Sequence, residues 1–273
     1  MKLALVILAL SAPLALAQAV QQPALLPACA SPASTAFDVA SVKPIDQDSG
    51  SFNINTRADS LKADGVLSHM LEFAYNLHNF QLSGGPGWLT TATWEVYAKL
   101  DQPPPDWASL TNDARNTINR QRMAAVLAQR FALKCHFETK QLPVYNLVVA
   151  KGGPRAGLAP TPADAAKKGS YGTHGNNRSN RMEATGVPVT SLAANLSQSL
   201  GRTVIDKTGL TGLYNLTLTY TADPDATSAS SAADPAGPTI FTALEEQLGL
   251  KLESAKGPVP VLVIDSIDKP SDN

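Results

Sequence analysis

Four short patterns in the first half of this 273-residue chain return in the same order in the second half. Ala63-Asp64-Gly65-Val66 returns as Ala184-Thr185-Gly186-Val187, 121 positions on from Gly65 to Gly186. Residues 94–100 return as 214–220, an interval of 120, and Leu133-Lys134 returns as Leu250-Lys251, an interval of 117. Residues 143–149 return as 258–264, an interval of 115. The interval shrinks steadily, as it does when loops are lost between matched elements. An internal repeat restricts the architecture more than any single motif, because each unit must be one supersecondary arrangement used twice.

Each half reads as β-α-β-β-α-β-β, so the fold class is α+β with two tandem repeats. Short strands at 60–63 and 181–184 lead into helices at 66–77 and 189–200. Strands at 80–83 and 203–206 follow, then glycine turns and alternating strands. The second helices span 112–130 and 240–248. Thr111 or Asn112 caps the former and Thr239 the latter, since their side-chain oxygens accept from first-turn N–H groups. Ile240, Leu244 and Leu248 recur at helical spacing and form one apolar stripe, leaving Glu245 and Glu246 to water. Each half then closes with a hairpin, 132–138 with 144–150 and 251–254 with 259–266, from period-two alternation punctuated by Pro and Gly.

The ends and joints follow from composition. Lys2, an apolar run over 3–16 and Ala15-Leu16-Ala17 make a cleaved signal peptide of residues 1–17, with Gln18 the mature N-terminus. That apolar run is shorter than the roughly 20 residues a spanning helix needs. The partition is then a flexible leader over 18–35, a first repeat over 36–151, a linker over 152–180 and a second repeat over 181–273. The linker and an insert at 222–238 are rich in Gly, Ala, Ser, Asp and Pro and lack apolar periodicity, so both read as unstructured. With 22 basic and 23 acidic residues the chain lacks the basic surplus of a nucleic-acid binder.

Residues able to do chemistry are few, and none is assigned a catalytic, metal or cofactor role. His69 and His78 stand nine residues apart on different faces of the first helix, His136 lies on the polar side of a strand, and His174 falls in the linker. Cys135 shares the apolar side of its strand with Leu133 and Phe137, so it reads as a buried thiol or a disulfide partner. Cys29 is the one other cysteine, and a bridge from leader to first repeat stays open beside free thiols. Leu26-Pro27-Ala28-Cys29 faintly resembles a lipobox, but it lies too far beyond the apolar run. Gly84-Gly85-Pro86-Gly87-Trp88 lacks the Lys of a phosphate loop, and Pro86 removes a backbone donor, so it reads as a tight turn presenting Trp88 as a contact residue. Asp206-Lys207-Thr208-Gly209 reads as turn chemistry at a strand end. Arg115, Arg120, Arg122 and Arg130 make one helix basic, by default a solvated face.

Phe37-Asp38-Val39-Ala40-Ser41-Val42-Lys43-Pro44, the Gly84 to Leu89 turn, Arg130-Phe131-Ala132-Leu133-Lys134 and residues 206–212 resemble a family of soil-associated bacterial proteins with a domain of unknown function. The resemblance runs over 37–273. It implies a bacterial, exported protein and carries no catalytic residues; related domains attached to antirepressor-type membrane metallopeptidases imply sensing. The element order also loosely resembles the short N-terminal domains of secretins and TonB-dependent receptors, an analogy of fold alone.

The expectation is an exported, non-enzymatic interaction or sensing module of the cell envelope, periplasmic or secreted, with an envelope protein as partner, no nucleic acid and no cofactor. The alternatives are an envelope hydrolase with its site between the repeats, or a small-ligand binder using Trp88, Trp94 and Tyr97.

Overall fold

The structure, a computed structural model, describes residues 29, 37–46, 50–162, 169–175, 179–221 and 237–270. The expected signal peptide, most of the leader and nearly all of the 222–238 insert lie outside the described residues.

The chain is mixed α and β, in three four-stranded sheets. The first half supplies β1 (Val39–Ile45), β2 (Asn53–Thr56), β3 (Ser60–Val66), α1 (Leu67–Tyr75), β4 (Leu82–Gly84), β5 (Thr93–Lys99), α2 (Asn112–Arg130) and β6 (Lys134–Val149). The second supplies β7 (Leu158–Pro160), β8 (Ser170–Gly175), β9 (Asn180–Val187), α3 (Val189–Leu200), β10 (Val204–Asp206), β11 (Tyr214–Tyr220), α4 (Ile240–Ala243) and β12 (Leu250–Ser266). One outer sheet has the order β1-β5-β3-β2 and the other β7-β11-β9-β8, all antiparallel. Counted from the start of each half, the two orders are the same.

The third sheet differs from expectation. Residues 132–150 and 251–266 do not fold into hairpins; β6 and β12 are single long strands that run antiparallel to each other, from Lys134 opposite Ser266 to Val149 opposite Leu250. Each segment finds in the other half the antiparallel partner that a hairpin would have provided within its own. β4 joins β12 in parallel and β10 joins β6 in parallel, giving the order β10-β6-β12-β4. The short strand of each half is therefore held by the long strand of the other. Pro143 and Pro258, which fall in the expected turns, and Pro260 are tolerated within the strands because the sheet is two-stranded in its middle. β10 covers β6 only at Tyr145–Leu147 and β4 covers β12 only at Leu262–Ile264, so the prolines lie where each strand has an open edge. Gly257 faces Leu142, and a Cβ there would come within 3.0 Å of Ile205 and 3.1 Å of Val144.

The element order in each half is thus β-β-β-α-β-β-α-β rather than β-α-β-β-α-β-β. β1 and β2 are strands that the sequence pattern does not signal. Residues 152–180, expected to be an unstructured linker, contain β7 and β8, and both belong to the second outer sheet. Short strands of mixed polarity carry little periodic signal; β1 and β7 are recruited by strands distant in sequence, β5 and β11, and β2 and β8 by the strands that follow them, β3 and β9.

Two large cores result. The first gathers α1, α2 and the inward side of β1, β3 and β5, closed by Leu262, Ile264 and Ile267 from the far end of the chain. The second gathers α3, α4, β9 and β11 with Leu250 and Leu252, closed by Leu147 of β6. Both inner helices stop at a left-handed residue, Asn76 after α1 and Gly201 after α3, where late N–H groups turn back onto helix carbonyls. Thr111 and Thr239 cap α2 and α4 as expected, accepting from the N–H of Ala114 at 3.2 Å and of Thr242 at 3.3 Å. α4 continues into a π-helical turn, Leu244–Leu248. That wider turn lets the Gln247 amide exchange two hydrogen bonds with the Thr219 backbone, at 2.9 and 2.7 Å, so it closes against β11 like a further strand.

Candidate functional site

β3 runs straight into α1, whose first turn has no side-chain cap. On α1 Glu72 is a neighbour of Ser68 four residues before it and of His69 three before it, and all three line a cleft with Val66. Its opposite wall is Leu82 and Gly84 of β4 with Leu89 and Thr90 of the following turn, and Ile264 of β12 closes it. The cleft has a volume of about 480 Å³. It lies where the first half meets the strand that the second half sends across. Gly84, at φ +79°, is required there: a Cβ would come within 3.0 Å of the Ile264 carbonyl. A second depression, on the outer side of β2 and β3, is lined by Asn53, Lys62 and Asp64. Its charges are already matched, since Asn53 donates to Asp64 at 2.8 Å and Lys62 pairs with Glu95 at 2.7 Å.

The first cleft is not matched in this way. Removal from water raises the Glu72 carboxyl to about 7, and among the described residues no cation or hydrogen-bond donor reaches it. His69 tilts its ring onto Phe52, 5.8 Å between centroids, and its buried Nδ1 has no hydrogen-bond partner among the described residues. Ser68 and His69 are consecutive on the helix, so their side chains diverge and cannot act as a nucleophile and its base. Among the described residues no group of three His, Cys, Asp or Glu is arranged to hold a metal.

The structure scatters the other candidates. Trp88 is half-buried on the turn that forms one wall, edge-on to Trp94 at 6.2 Å and with the Lys269 ammonium 5.7 Å from its ring centre. Trp94 is buried in the first core against Phe131, while Tyr97 is 43% exposed on the opposite side of β5. The three aromatics therefore do not share one pocket, because positions three apart on a strand point to opposite sides. Cys29 and Cys135 form a disulfide beside Tyr75, whose hydroxyl donates to the Cys29 carbonyl at 3.2 Å. His78 stacks on Phe80 outside α1, and His136 hydrogen-bonds Asp265 at 2.9 Å and Glu138 at 3.2 Å on an exposed strand face. Those two carboxylates raise the His136 pKa. The Asp206 turn is local chemistry: its carboxylate accepts from the Thr208 N–H and hydroxyl at 2.9 and 2.7 Å.

The basic helix face is a correction. Arg122 is 2% exposed, donates to the Ala58 carbonyl at 3.0 Å and lies over the rings of Phe37 and Trp107. Arg115 donates to the Trp107 and Ala108 carbonyls at 3.1 and 2.9 Å. Arg115 fastens the segment before α2, and Arg122 ties the turn between β2 and β3 to α2 and to the Trp107 ring instead of facing water, because long stems and planar heads suit apolar and aromatic surfaces.

Sequence reasoning passes over Glu72. A lone acid on the polar stripe of a helix reads as solvated, and the groups that dry it, Leu82, Leu89 and Ile264, come from elsewhere in the chain.

The fold and cleft define a mixed α+β protein of two interlocked halves with an unpaired acidic cleft at their junction. The chain belongs to the family of proteins of unknown function designated DUF3738, whose model matches residues 68–267. No curated protein and no solved structure matches it. No helix among the described residues is long and apolar enough to cross a membrane.

Proposed function

We propose that the protein is an exported, non-enzymatic interaction module of the bacterial cell envelope, built by tandem duplication, which engages an envelope partner at the α1 cleft and the Trp88 turn. The observation that carries the reading is the cleft itself: a walled, half-apolar recess in which the Glu72 carboxyl and the buried Nδ1 of His69 lack partners among the described residues, beside an aromatic turn. Export is supported by the residue 1–17 pattern and by the resemblance to soil-associated bacterial proteins. A disulfide between Cys29 and Cys135 suits an oxidising compartment. Duplication is supported by the common strand order of the outer sheets and the exchange of β4 and β10 across the centre.

One observation favours a second reading, an envelope hydrolase: a carboxyl raised to about 7 is suited to acid–base work. The divergence of Ser68 and His69 weighs against a nucleophilic version of it.

The test is crosslinking capture from the envelope fraction of the producing bacterium, with N-terminal sequencing of the recovered chain. A mature terminus at Gln18 and a partner captured by wild type but lost with a folded Trp88→Ala variant are expected. Retention of Met1, equal capture by the variant, or turnover of an envelope polymer that Glu72→Gln abolishes overturns the reading.

A further inference from the structure

We propose that the cleft beside α1 is a binding site for a primary ammonium group, with Glu72 as its counter-ion. The inference rests on the cleft being the contact site and adds the chemistry of the group that enters it.

Among the described residues, Glu72 is the only Asp or Glu on the wall of the cleft, and neither Lys nor Arg lines it. Four of the chain's other carboxylates hold cationic partners: Glu95 with Lys62, Glu138 with Lys140, Glu183 with Arg181 and Glu253 with Lys251. Glu245 and Glu246, which have no cation beside them among the described residues, are exposed to water, whereas Glu72 is unpaired and partly removed from it. Stability alone does not favour that placement, since an unpaired charge costs more as water is withdrawn from it. The buried Nδ1 of His69 is a second open polar atom on the same wall. An ammonium carries three donors on a compact head, so it can serve the Glu72 carboxylate and still donate to the His69 ring or the Ser68 hydroxyl.

The remaining wall suits the carbon stem of an alkylammonium. Val66, Leu71, Leu82, Leu89 and Ile264 offer apolar surface to its methylenes. The volume, about 480 Å³, is that of a small-molecule recess. The halves also differ here. Aligning the starts of α1 and α3 sets Ala194 opposite Glu72, and the preceding residue is Ala193, so the second half has no acid at this place. α3 forms without an acid at this place, so the helix does not need the carboxylate in order to build.

The ammonium has two sources, a free amine or the lysine side chain of a partner. The experiment is a backbone-amide NMR titration of the intact chain with n-butylammonium, with neutral n-butanol and with a Gly-Lys-Gly peptide blocked at both ends. Saturable shifts around Glu72 and Gly84 are expected with n-butylammonium and not with n-butanol. Glu72→Gln should weaken binding by about tenfold or more, as loss of one member of a desolvated charge pair does, while Glu253→Gln leaves it unchanged. Because Gln removes a dried charge, this variant is expected to fold at least as well as wild type, so lost binding is not misfolding. Comparable binding of the blocked peptide assigns the site to a partner's lysine, and binding of the free amine alone assigns it to a small molecule. No shifts in wild type, equal binding of n-butanol, or undiminished binding by Glu72→Gln overturns the proposal. Amine binding with failed partner capture overturns the partner reading only; partner capture without amine binding overturns this inference only.

Discussion

Glu72 works against the fold that holds it. Its carboxyl titrates near 7 in the native chain and near 4.5 when solvated, so above pH 4.5 the unfolded state releases its proton first. Stability therefore falls as pH rises from about 4.5 to 7 and is level above that. The side chain is half-exposed, so solvent screening reduces the effect well below the full linkage value, to about 1 kcal/mol. Glu72→Gln should be more stable than wild type by that amount at pH 8 and equal to it at pH 4, measured by urea unfolding at both. Equal stability at pH 8 would show that the carboxylate is not dried. The residue types of this site are legible in the sequence and their situation is not. Ser68 and Glu72 read as ordinary polar positions on an amphipathic helix, because the surface opposite them includes a strand almost 200 positions away, Leu262–Ile264.

At the scale of elements, local chemistry is readable wherever it decides the outcome. α2 and α3 keep the bounds drawn from periodicity and end signals, 112–130 and 189–200. The stripe Ile240, Leu244 and Leu248 is buried while Glu245 and Glu246 face water. The long strands read as hairpins because Pro143 and Gly257-Pro258 carry the same punctuation whether a chain turns back or crosses over, and only the partner strand distinguishes the two. Leu244 tests the packing of the short α4 and its π turn. It is fully buried among α3, β11 and β12 residues of the second core, so Leu244→Ala should cost about 2–5 kcal/mol in thermal or denaturant unfolding. A loss below about 1 kcal/mol would mean that the π turn is only loosely held to the core.

For the whole molecule, the exchange of strands makes each core depend on both halves. Removing residues from 260 onward takes Leu262, Ile264 and Ile267 out of the first core and leaves β4 without its neighbour. Hydrogen exchange on such a truncated chain should show protection lost over residues 60–99, far away in sequence, and not only near the cut. Retained protection there would mean that the first core closes by itself. The same dependence sets an order in time. A ribosome delivers the first half well before the second, yet residues 37–149 cannot complete their core until position 267 has been made. The first half therefore leaves the ribosome with its core still open, and strand order alone sets how long it stays so.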